Sequence, residues 1–339
     1  MKAKIVKIGN FNAFNLVSPE ITYYRRKYNK KTYQKKCRWI GEQLDRMGAD
    51  LVGFQEIFHP EALQDALRQS KRLNKAHFVV ANPTEDLLPR VGLVSKYPIL
   101  EFQVIEAFPE GIDLEGTQIP IESFSRPVLR ALVELPFGHK VIVYVVHLKS
   151  KRPDFYEGEL RGDHYALAKA QTRSLIRRAM EATSVRGLVL ADLKKNDHPL
   201  ILLGDVNDSG LAVTTRILSG EPPHRKYPLD VKKEIWDVLL YQAKDIQARK
   251  SYEDYYFTHI YNGHHEALDH IMVSQELVEE NPQSIGRIGY VKVFNDHLID
   301  ETQSDDDVPA WESDHGQVVA TLELDPSRRV DGISPQSNA

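Results

Sequence analysis

The sequence contains one cysteine, Cys37, among its 339 residues. A disulfide within the chain is therefore excluded, and the lack of a cysteine cluster argues against a structural zinc site. The sequence also lacks an apolar run of the roughly 20 residues that a membrane-spanning helix requires, so we expect no stable insertion into a membrane. No apolar signal segment with a small-residue cleavage site follows Met1, and we therefore expect a cytoplasmic protein.

The chain also lacks an excess of one charge, since 44 Lys and Arg residues balance 48 Asp and Glu residues and the formal net charge is -4. Such a balance does not by itself indicate a nucleic-acid-binding protein. The most basic part of the chain is residues 21–38, here called the basic segment, in which tyrosines are interspersed with lysines and arginines. Two interpretations stay open for it: a solvated helix face, or a surface that neutralises phosphates and stacks bases on its tyrosines.

No internal repeat and no clean linker divides the chain, and 42% of its residues are hydrophobic, which is enough for a sizeable core. We therefore predict one catalytic domain over residues 1–324 and a flexible tail over residues 325–339, which is rich in Ser, Pro and Arg. We take a monomer as the default oligomeric state.

Residues 200–208 read Leu-Ile-Leu-Leu-Gly-Asp-Val-Asn-Asp. The aliphatic run predicts a strand covered on both faces, and Gly204 would allow a sharp backbone turn at its end. Asp205 and Asn207 would then project from a rigid base, which is where enzymes with mixed helices and strands often place their chemistry. The alternative is an ordinary turn after a buried strand, with Asp208 capping the short helix that follows.

Other elements follow from residue spacing. An amphipathic helix that ends at Gly48 is predicted by the helical spacing of Tyr33, Cys37, Ile40, Leu44 and Met47. Residues 129–135 and 140–146 predict a β-hairpin. A second helix is predicted over residues 163–183, with an apolar face formed by Ala168, Leu175, Ala179 and Ala182.

Polar side chains suited to metal binding or proton transfer end several of the predicted strands. These residues are Asn12, Glu56, His147, Asp205, Asn207, Asp269, Asp314 and His315. Carboxylate and amide oxygens suit a hard divalent cation, which uses few protein ligands and completes its shell with water and phosphate oxygens. We therefore expect Mg²⁺ as the cofactor, with Mn²⁺ or Ca²⁺ as alternatives, and histidines that act on the charge of a phosphate.

These residues lie in motifs that resemble those of the endonuclease/exonuclease/phosphatase superfamily, whose members include deoxyribonuclease I. The general bacterial hydrolase branch of that superfamily is the most similar. The motifs follow the family's order, and they are Phe11-Asn12-Ala13-Phe14-Asn15-Leu16, Gly53-Phe54-Gln55-Glu56, Val146-His147-Leu148-Lys149-Ser150, Gly204-Asp205-Val206-Asn207, Leu268-Asp269-His270-Ile271 and Ser313-Asp314-His315. The resemblance implies an α+β fold: a four-layer α/β/β/α sandwich of two packed mixed β-sheets.

The resemblance also implies roles for the polar residues. Glu56 would bind the catalytic metal, with Asn12 and Asp314 close by. His315 would be the catalytic histidine, and Asp269 would orient it.

Three further residues receive roles from the resemblance. Asp205 would position or activate the attacking water, and Asn207 would contact phosphate or metal. His147 stands where the deoxyribonuclease I-like and sphingomyelinase-like branches carry a histidine, which makes an abasic-site repair enzyme a weaker prediction.

Basic residues near these motifs are candidates for binding substrate phosphates, and they are Lys149, Arg152, Arg90 and Arg126. We expect a metal-dependent nuclease that hydrolyses phosphodiester bonds in DNA or RNA, so that nucleic acid is the partner. The alternative is the same chemistry on a small-molecule or lipid phosphoester, such as an inositol phosphate, sphingomyelin or a nucleotide.

Overall fold

The computed structural model describes residues 3–24, 26–81, 88–112, 120–248, 256–261, 264–301 and 307–327. The tail predicted over residues 325–339 therefore lies outside the described residues from position 328 onward. The strands are β1 (Lys4–Leu16), β2 (Thr22–Tyr23), β3 (Arg26–Lys27), β4 (Leu51–Ile57), β5 (His77–Val80), β6 (Arg90–Ser95), β7 (Ile99–Ala107), β8 (Ser123–Glu134), β9 (Lys140–His147), β10 (Leu200–Asp205), β11 (Tyr241–Gln242), β12 (His259–Tyr261), β13 (His264–Glu266), β14 (Asp269–Val273), β15 (Gly286–Phe294) and β16 (Gln317–Leu324). The helices are α1 (Lys30–Met47), α2 (Pro60–Gln69), α3 (His164–Lys195), α4 (Val213–Ser219), α5 (Leu229–Trp236) and α6 (Ala243–Ala248).

Two mixed sheets organise the molecule. The first has the strand order β15-β16-β1-β4-β6-β5, and the second has the order β11-β14-β10-β9-β8-β7. Each contains a central parallel pair, β1 with β4 and β9 with β10, and the strands beside these pairs run antiparallel to them. The carboxyl ends of each parallel pair therefore lie at one edge of their sheet.

The sheets pack face to face through an apolar core. Ile8 and Leu51 of the first sheet pack in the same buried cluster as Val145 and Leu203 of the second. At Gly53 the two sheets approach closely, because a Cβ atom there would lie 2.9 Å from the Cβ of Leu203. Only glycine permits this approach, which brings the first half of β4 against β10.

Helices cover the outer faces of both sheets. Ile40 and Leu44 of α1, the helix predicted before Gly48, pack on Phe54 of β4, and Gly48 ends the helix in the left-handed conformation (φ 61). Val185 of α3 packs on Leu202 of β10. The four-layer α/β/β/α sandwich is therefore confirmed, and so is the hairpin between β8 and β9. Among the described helices, none is long and apolar enough to cross a membrane.

Two local predictions are wrong. Gly204 does not turn the chain: it lies within β10, where a Cβ atom would come 2.5 Å from the carbonyl oxygen of Val146 on β9, and the left-handed residue is Asn207 (φ 54). Asp208 does not cap α4, whose N-cap is Ala212. The conformation at Gly204 and the start of α4 both depend on contacts with residues outside the local sequence pattern.

The long helix α3 also differs from its prediction. It continues to Lys195, and Leu175 of the predicted apolar face is 49% exposed. The buried face instead carries Ser174, Arg178 and Glu181 beside small apolar residues. These polar residues were not part of the predicted face, because periodicity indicates burial only for apolar side chains.

Candidate active site

Strand ends from both sheets meet at one edge of the sandwich. Asn12 and Glu56 lie near the ends of the parallel strands β1 and β4, and His147 and Asp205 end the parallel strands β9 and β10. Asp269 begins β14, which runs antiparallel to β10 and pairs Asp269 with Asp205. Polar residues spread over most of the sequence thus converge because each sheet places its parallel ends at this edge.

Asn12 connects the two sheets through its side chain. Its Nδ2 atom donates to Glu56 Oε1 at 3.4 Å and to Asp205 Oδ2 at 3.2 Å. Its Oδ1 atom accepts a hydrogen bond from the backbone N–H of Phe14 at 3.0 Å. Asn12 was predicted to lie at the metal and supply an oxygen, but in this arrangement it presents N–H groups to the two carboxylates.

His315 and Asp269 form a buried hydrogen-bonded pair. His315 Nδ1 lies 2.7 Å from Asp269 Oδ2, and Asn10 Nδ2 donates to the other carboxylate oxygen at 3.2 Å. Burial lowers the pKa of His315, but the charges of Asp269 and Asp205 outweigh it and hold that pKa well above the usual histidine value. The pair therefore favours a protonated, fixed imidazole, with Nε2 3.8 Å from Asp205 Oδ2.

Asp205 is 1% exposed and lies between two histidines. Its Oδ2 atom is 3.4 Å from His147 Nε2, and its Oδ1 atom accepts the backbone N–H of Asn207 at 2.9 Å. Burial raises the pKa of Asp205 to about 7, with the positive charge of His315 opposing the rise. Burial, with the nearby charge of Arg126, holds the pKa of His147 well below the usual value, so that His147 is neutral.

Left-handed backbone conformations are concentrated at this edge. Phe14, Asn15, Glu56 and Asn207 have φ values of 48, 56, 61 and 54. Such conformations cost on the order of 1 kcal/mol or more for residues other than glycine, and they persist where surrounding contacts hold them. Here the N–H of Asn15 donates to Glu56 Oε2 at 2.9 Å, which orients the carboxylate.

Glu56 and Asp314 provide a donor set that suits a hard divalent cation. Burial, and next the charge of Asp314, raises the pKa of Glu56, so the two carboxylates interact electrostatically. Asp314 Oδ1 is a buried oxygen without a hydrogen-bond partner. A carboxylate pair and an unsatisfied buried oxygen are what Mg²⁺ or a similar ion would satisfy.

His259 lies beside this set and was not predicted. Its ring stacks on that of His315 with centroids 4.7 Å apart, and its Nδ1 atom lies 2.9 Å from the backbone oxygen of Asp314. Ligand atoms of His259, Asp314 and His315 all lie within 4.8 Å of one another. Nothing in the sequence marks His259, which belongs to the short strand β12 and is distant from Asp314 along the chain.

Three of the four residues predicted to bind phosphate lie on β8 or in the loop that follows His147. Arg126 donates to the backbone oxygen of Leu148 at 3.3 Å, and its charge opposes the raised pKa of Glu56. Lys149 Nζ donates to the backbone oxygen of Arg152 at 3.1 Å, and Arg152 is exposed. Arg90 differs, because its side chain is 1% exposed and its charge acts on His59.

A pair of charged residues on α3, also not predicted, holds the backbone beside these cations. Glu181 accepts the N–H of Ser125 at 2.9 Å and that of Lys149 at 2.6 Å. Arg178 donates to the backbone oxygen of Lys149 at 3.2 Å and to Asp208 Oδ2 at 3.2 Å. We call Arg178 and Glu181 the α3 clamp, since together they bind both backbone polar groups of Lys149.

Three of the four tyrosines of the basic segment lie in the core, whereas most of its lysines and arginines are exposed. Tyr23, Tyr28 and Tyr33 are at most 6% exposed, and Lys36 is fully buried. Burial lowers the pKa of Lys36 to about 8, although Asp314 and Glu56 oppose the shift. The polyanion surface that the sequence left open is therefore not formed by these tyrosines, because their rings face the core under α1; only Tyr24 is exposed, at 63%.

Known proteins share this architecture. The model of the Endonuclease/Exonuclease/phosphatase family matches residues 36–315. No curated protein matches the chain. Humanized D. rerio TDP2 with 14 mutations is 17% identical, with 94% of this chain and 98% of that chain covered and a TM-score of 0.55. The human Nocturnin catalytic domain with bound sulfate is 13% identical, with 95% of this chain and 98% of that chain covered and a TM-score of 0.54.

A family protein from Bacteroides thetaiotaomicron is 13% identical, with 96% of this chain and 99% of that chain covered and a TM-score of 0.56. At these identities the structural likeness establishes the fold, and the family model establishes the membership. The chain therefore belongs to the endonuclease/exonuclease/phosphatase family, whose members are metal-dependent phosphoric ester hydrolases.

Proposed function

We propose that this protein is a nuclease that hydrolyses phosphodiester bonds in DNA or RNA by metal-assisted, in-line attack of water. The observation that carries the proposal is the hydrogen-bonded pair of His315 and Asp269, 2.7 Å apart, with Asp205 between His315 and His147. This arrangement joins a fixed cationic imidazole to a carboxylate that titrates near neutrality. Such a combination suits a reaction that moves a proton and stabilises phosphate charge in one step.

In the proposed mechanism, Asp205 accepts a proton from the water that attacks phosphorus. The backbone N–H of Asn207 and the side chain of Asn12 hold the carboxylate in place. As the bond from phosphorus to the leaving oxygen breaks, its electron pair stays on that oxygen. His315, kept protonated by Asp269, donates a hydrogen bond to a phosphoryl oxygen. His147, which is neutral, donates a hydrogen bond from Nε2 to the same phosphoryl group.

Glu56 and Asp314 would hold the divalent cation, and Asn12 would orient Glu56 through its amide. When bound there, the cation supplies polarisation of the phosphoryl group and stabilises the leaving oxygen. Of the predicted ions, Mg²⁺ fits an oxygen donor set best, and Mn²⁺ accepts the same oxygen ligands.

Two observations support a nucleic acid as the substrate. The charge of Arg126 acts on His147 and Glu56, and Lys149 and Arg152 follow His147 in the loop after β9, so positive charge is available to substrate phosphates there. Among similar folds, a D. rerio TDP2 structure is a complex with a single-strand DNA product, at 15% identity and a TM-score of 0.53. We further propose that residues 1–324 form one catalytic domain that acts as a monomer.

A small-molecule or lipid phosphoester is the second candidate. The net charge of -4 and the burial of three tyrosines of the basic segment favour it, since both reduce the surface available to a polyanion. The catalytic groups are Asp205, Asp269 and His315, and they are at most 7% exposed. Such buried groups are easier to reach for a small phosphoester than for a bulky polymer.

A substrate panel tests the proposal. Purified protein is incubated with plasmid, single-stranded DNA, RNA, inositol phosphates and sphingomyelin, each with Mg²⁺ and with EDTA. We expect metal-dependent cleavage of at least one nucleic acid, and loss of that cleavage in His315→Ala. Turnover of a small phosphoester without any nucleic-acid cleavage would establish the second candidate instead, and no turnover of any substrate would refute both.

A further inference from the structure

Tyr24 differs from every other tyrosine of the basic segment. It is 63% exposed, whereas Tyr23, Tyr28 and Tyr33 are 5%, 3% and 6% exposed. It lies in the turn between β2 and β3, and its φ of 41 is left-handed, a conformation that an aromatic residue rarely adopts. A large ring is thus held in solvent on a strained turn, although its burial would be favourable.

The hairpin of β2 and β3 is fixed to the catalytic edge by aromatic contacts. The Tyr24 ring packs edge-on against Phe58 with centroids 6.0 Å apart and an interplanar angle of 82°. Phe58 is 3% exposed and follows Glu56 by two positions. From the other side, Tyr28 Oη donates to the backbone oxygen of Asn15, whose N–H binds Glu56. Phe58 and Tyr28 therefore connect the hairpin that carries Tyr24 to the two segments that hold Glu56.

The charges around Tyr24 belong to the site. Burial raises the pKa of Tyr24, the charges of Arg126 and Arg152 lower it, and the charge of Glu56 raises it. The phenol is therefore near enough to Glu56, Arg126 and Arg152 for their charges to act on it. Glu56 belongs to the first sheet, whereas Arg126 lies on β8 and Arg152 in the loop after β9, so charged groups from both sheets act on this ring.

We propose that Tyr24 is a substrate-binding residue that stacks a nucleobase adjoining the scissile phosphate, while Arg126 and Arg152 contact that phosphate. The proposal rests on the proposed nuclease function and specifies the substrate as a nucleotide phosphodiester with an accessible base. An exposed aromatic face beside cations is the arrangement by which proteins bind single-stranded nucleic acid without reading its sequence. Paired bases in a duplex have no free face for such a ring, so the accessible base indicates a single strand.

The test compares two substrates and three variants. A short single-stranded oligothymidine is compared with its abasic analogue, which keeps the sugar–phosphate backbone and lacks every base. Tyr24→Leu removes the planar ring and keeps apolar bulk, Tyr24→Phe keeps the ring, and Tyr290→Leu is a matched control at a tyrosine that is 50% exposed on the edge strand β15. Thermal unfolding of each variant is measured alongside KM and kcat.

For Tyr24→Leu we expect KM for oligothymidine to rise roughly 5- to 140-fold, because stacking of one base contributes about 1–3 kcal/mol and 1.4 kcal/mol corresponds to a factor of ten. With the abasic strand, KM should be unchanged, and kcat should change little with either substrate. Tyr24→Phe and Tyr290→Leu should keep the wild-type KM and the wild-type unfolding temperature.

Other outcomes have distinct meanings. Equal KM changes for both strands, or equal effects of Leu and Phe at position 24, would overturn the stacking role and leave the nuclease proposal intact. Wild-type protein that cleaves neither strand but hydrolyses a small phosphoester would overturn the proposed function itself, and the stacking role with it.

Discussion

Glu181 offers a sharp test of how the site's cationic loop is held. This residue of α3 is 1% exposed, and its carboxylate accepts the backbone N–H groups of Ser125 and Lys149. Ser125 precedes Arg126, so one buried carboxylate positions the backbone of two predicted phosphate-binding residues. Two variants test this positioning: Glu181→Gln keeps the shape of the side chain, and Glu181→Ala removes both acceptors.

The magnitude follows from the two hydrogen bonds. A hydrogen bond to a charged group contributes about 1.5–3 kcal/mol, and leaving a buried donor unpaired costs a similar amount. In Glu181→Gln one oxygen remains to accept one N–H group, while the amide nitrogen faces the other, so we expect a loss of about 2–4 kcal/mol of unfolding free energy. In Glu181→Ala both N–H groups lose their acceptor, and we expect a loss of about 3–6 kcal/mol.

Urea unfolding and steady-state kinetics check this reasoning. Since Arg126 and Lys149 would shift, KM should rise more than kcat falls, and the salt dependence of KM should weaken. Gln171→Ala, an exposed position on the same helix, is the control and should leave both measurements unchanged. Wild-type stability in Glu181→Gln, or a loss confined to kcat, would refute the positioning role.

Three further predictions concern the catalytic groups. Asp269→Asn removes the charge that fixes His315, so kcat should fall about 10²–10⁴-fold with little change in KM, and an unchanged kcat in steady-state kinetics would contradict this. Because burial raises the pKa of Asp205 to about 7 and the base must be ionised, a pH profile of kcat/KM should fall about tenfold per unit below pH 7 and level off above it; a flat profile from pH 5 to 8 would refute this role. Glu56→Gln should weaken Mg²⁺ binding measured by calorimetry at least about 100-fold, because even residues behind the ligands contribute 10–100-fold; equal affinity in the variant would place the cation elsewhere.

Local elements with strong patterns follow from the sequence. The helix before Gly48 is confirmed because its apolar residues repeat at helical spacing and a glycine can adopt the left-handed ending. The buried strand at Leu200–Asp205 is confirmed because an apolar run has no solvent-facing side. Both patterns depend on neighbours in sequence, which a single chain displays directly.

Residues with polar or bulky side chains inside the fold were harder to predict. Arg90 was expected at a phosphate and is buried, and the tyrosines of the basic segment were considered for base stacking although three face the core. Glu181 was not singled out at all. Periodicity treats a polar residue as exposed, whereas burial of these side chains depends on partners that only the packed structure brings together.

The sequence by itself determined that polar residues end buried strands in the order of a known family, and so it indicated the fold and the reacting groups. The tertiary structure decided which of these groups touch. Asn12 and Asp205 are separated by 193 positions, yet they bind because the sheets pack with their parallel ends at one edge. The orientation of the Asn12 amide, the burial that sets the pKa of Asp205 and the exposure of Tyr24 likewise depend on contacts between distant elements, which a linear pattern does not encode.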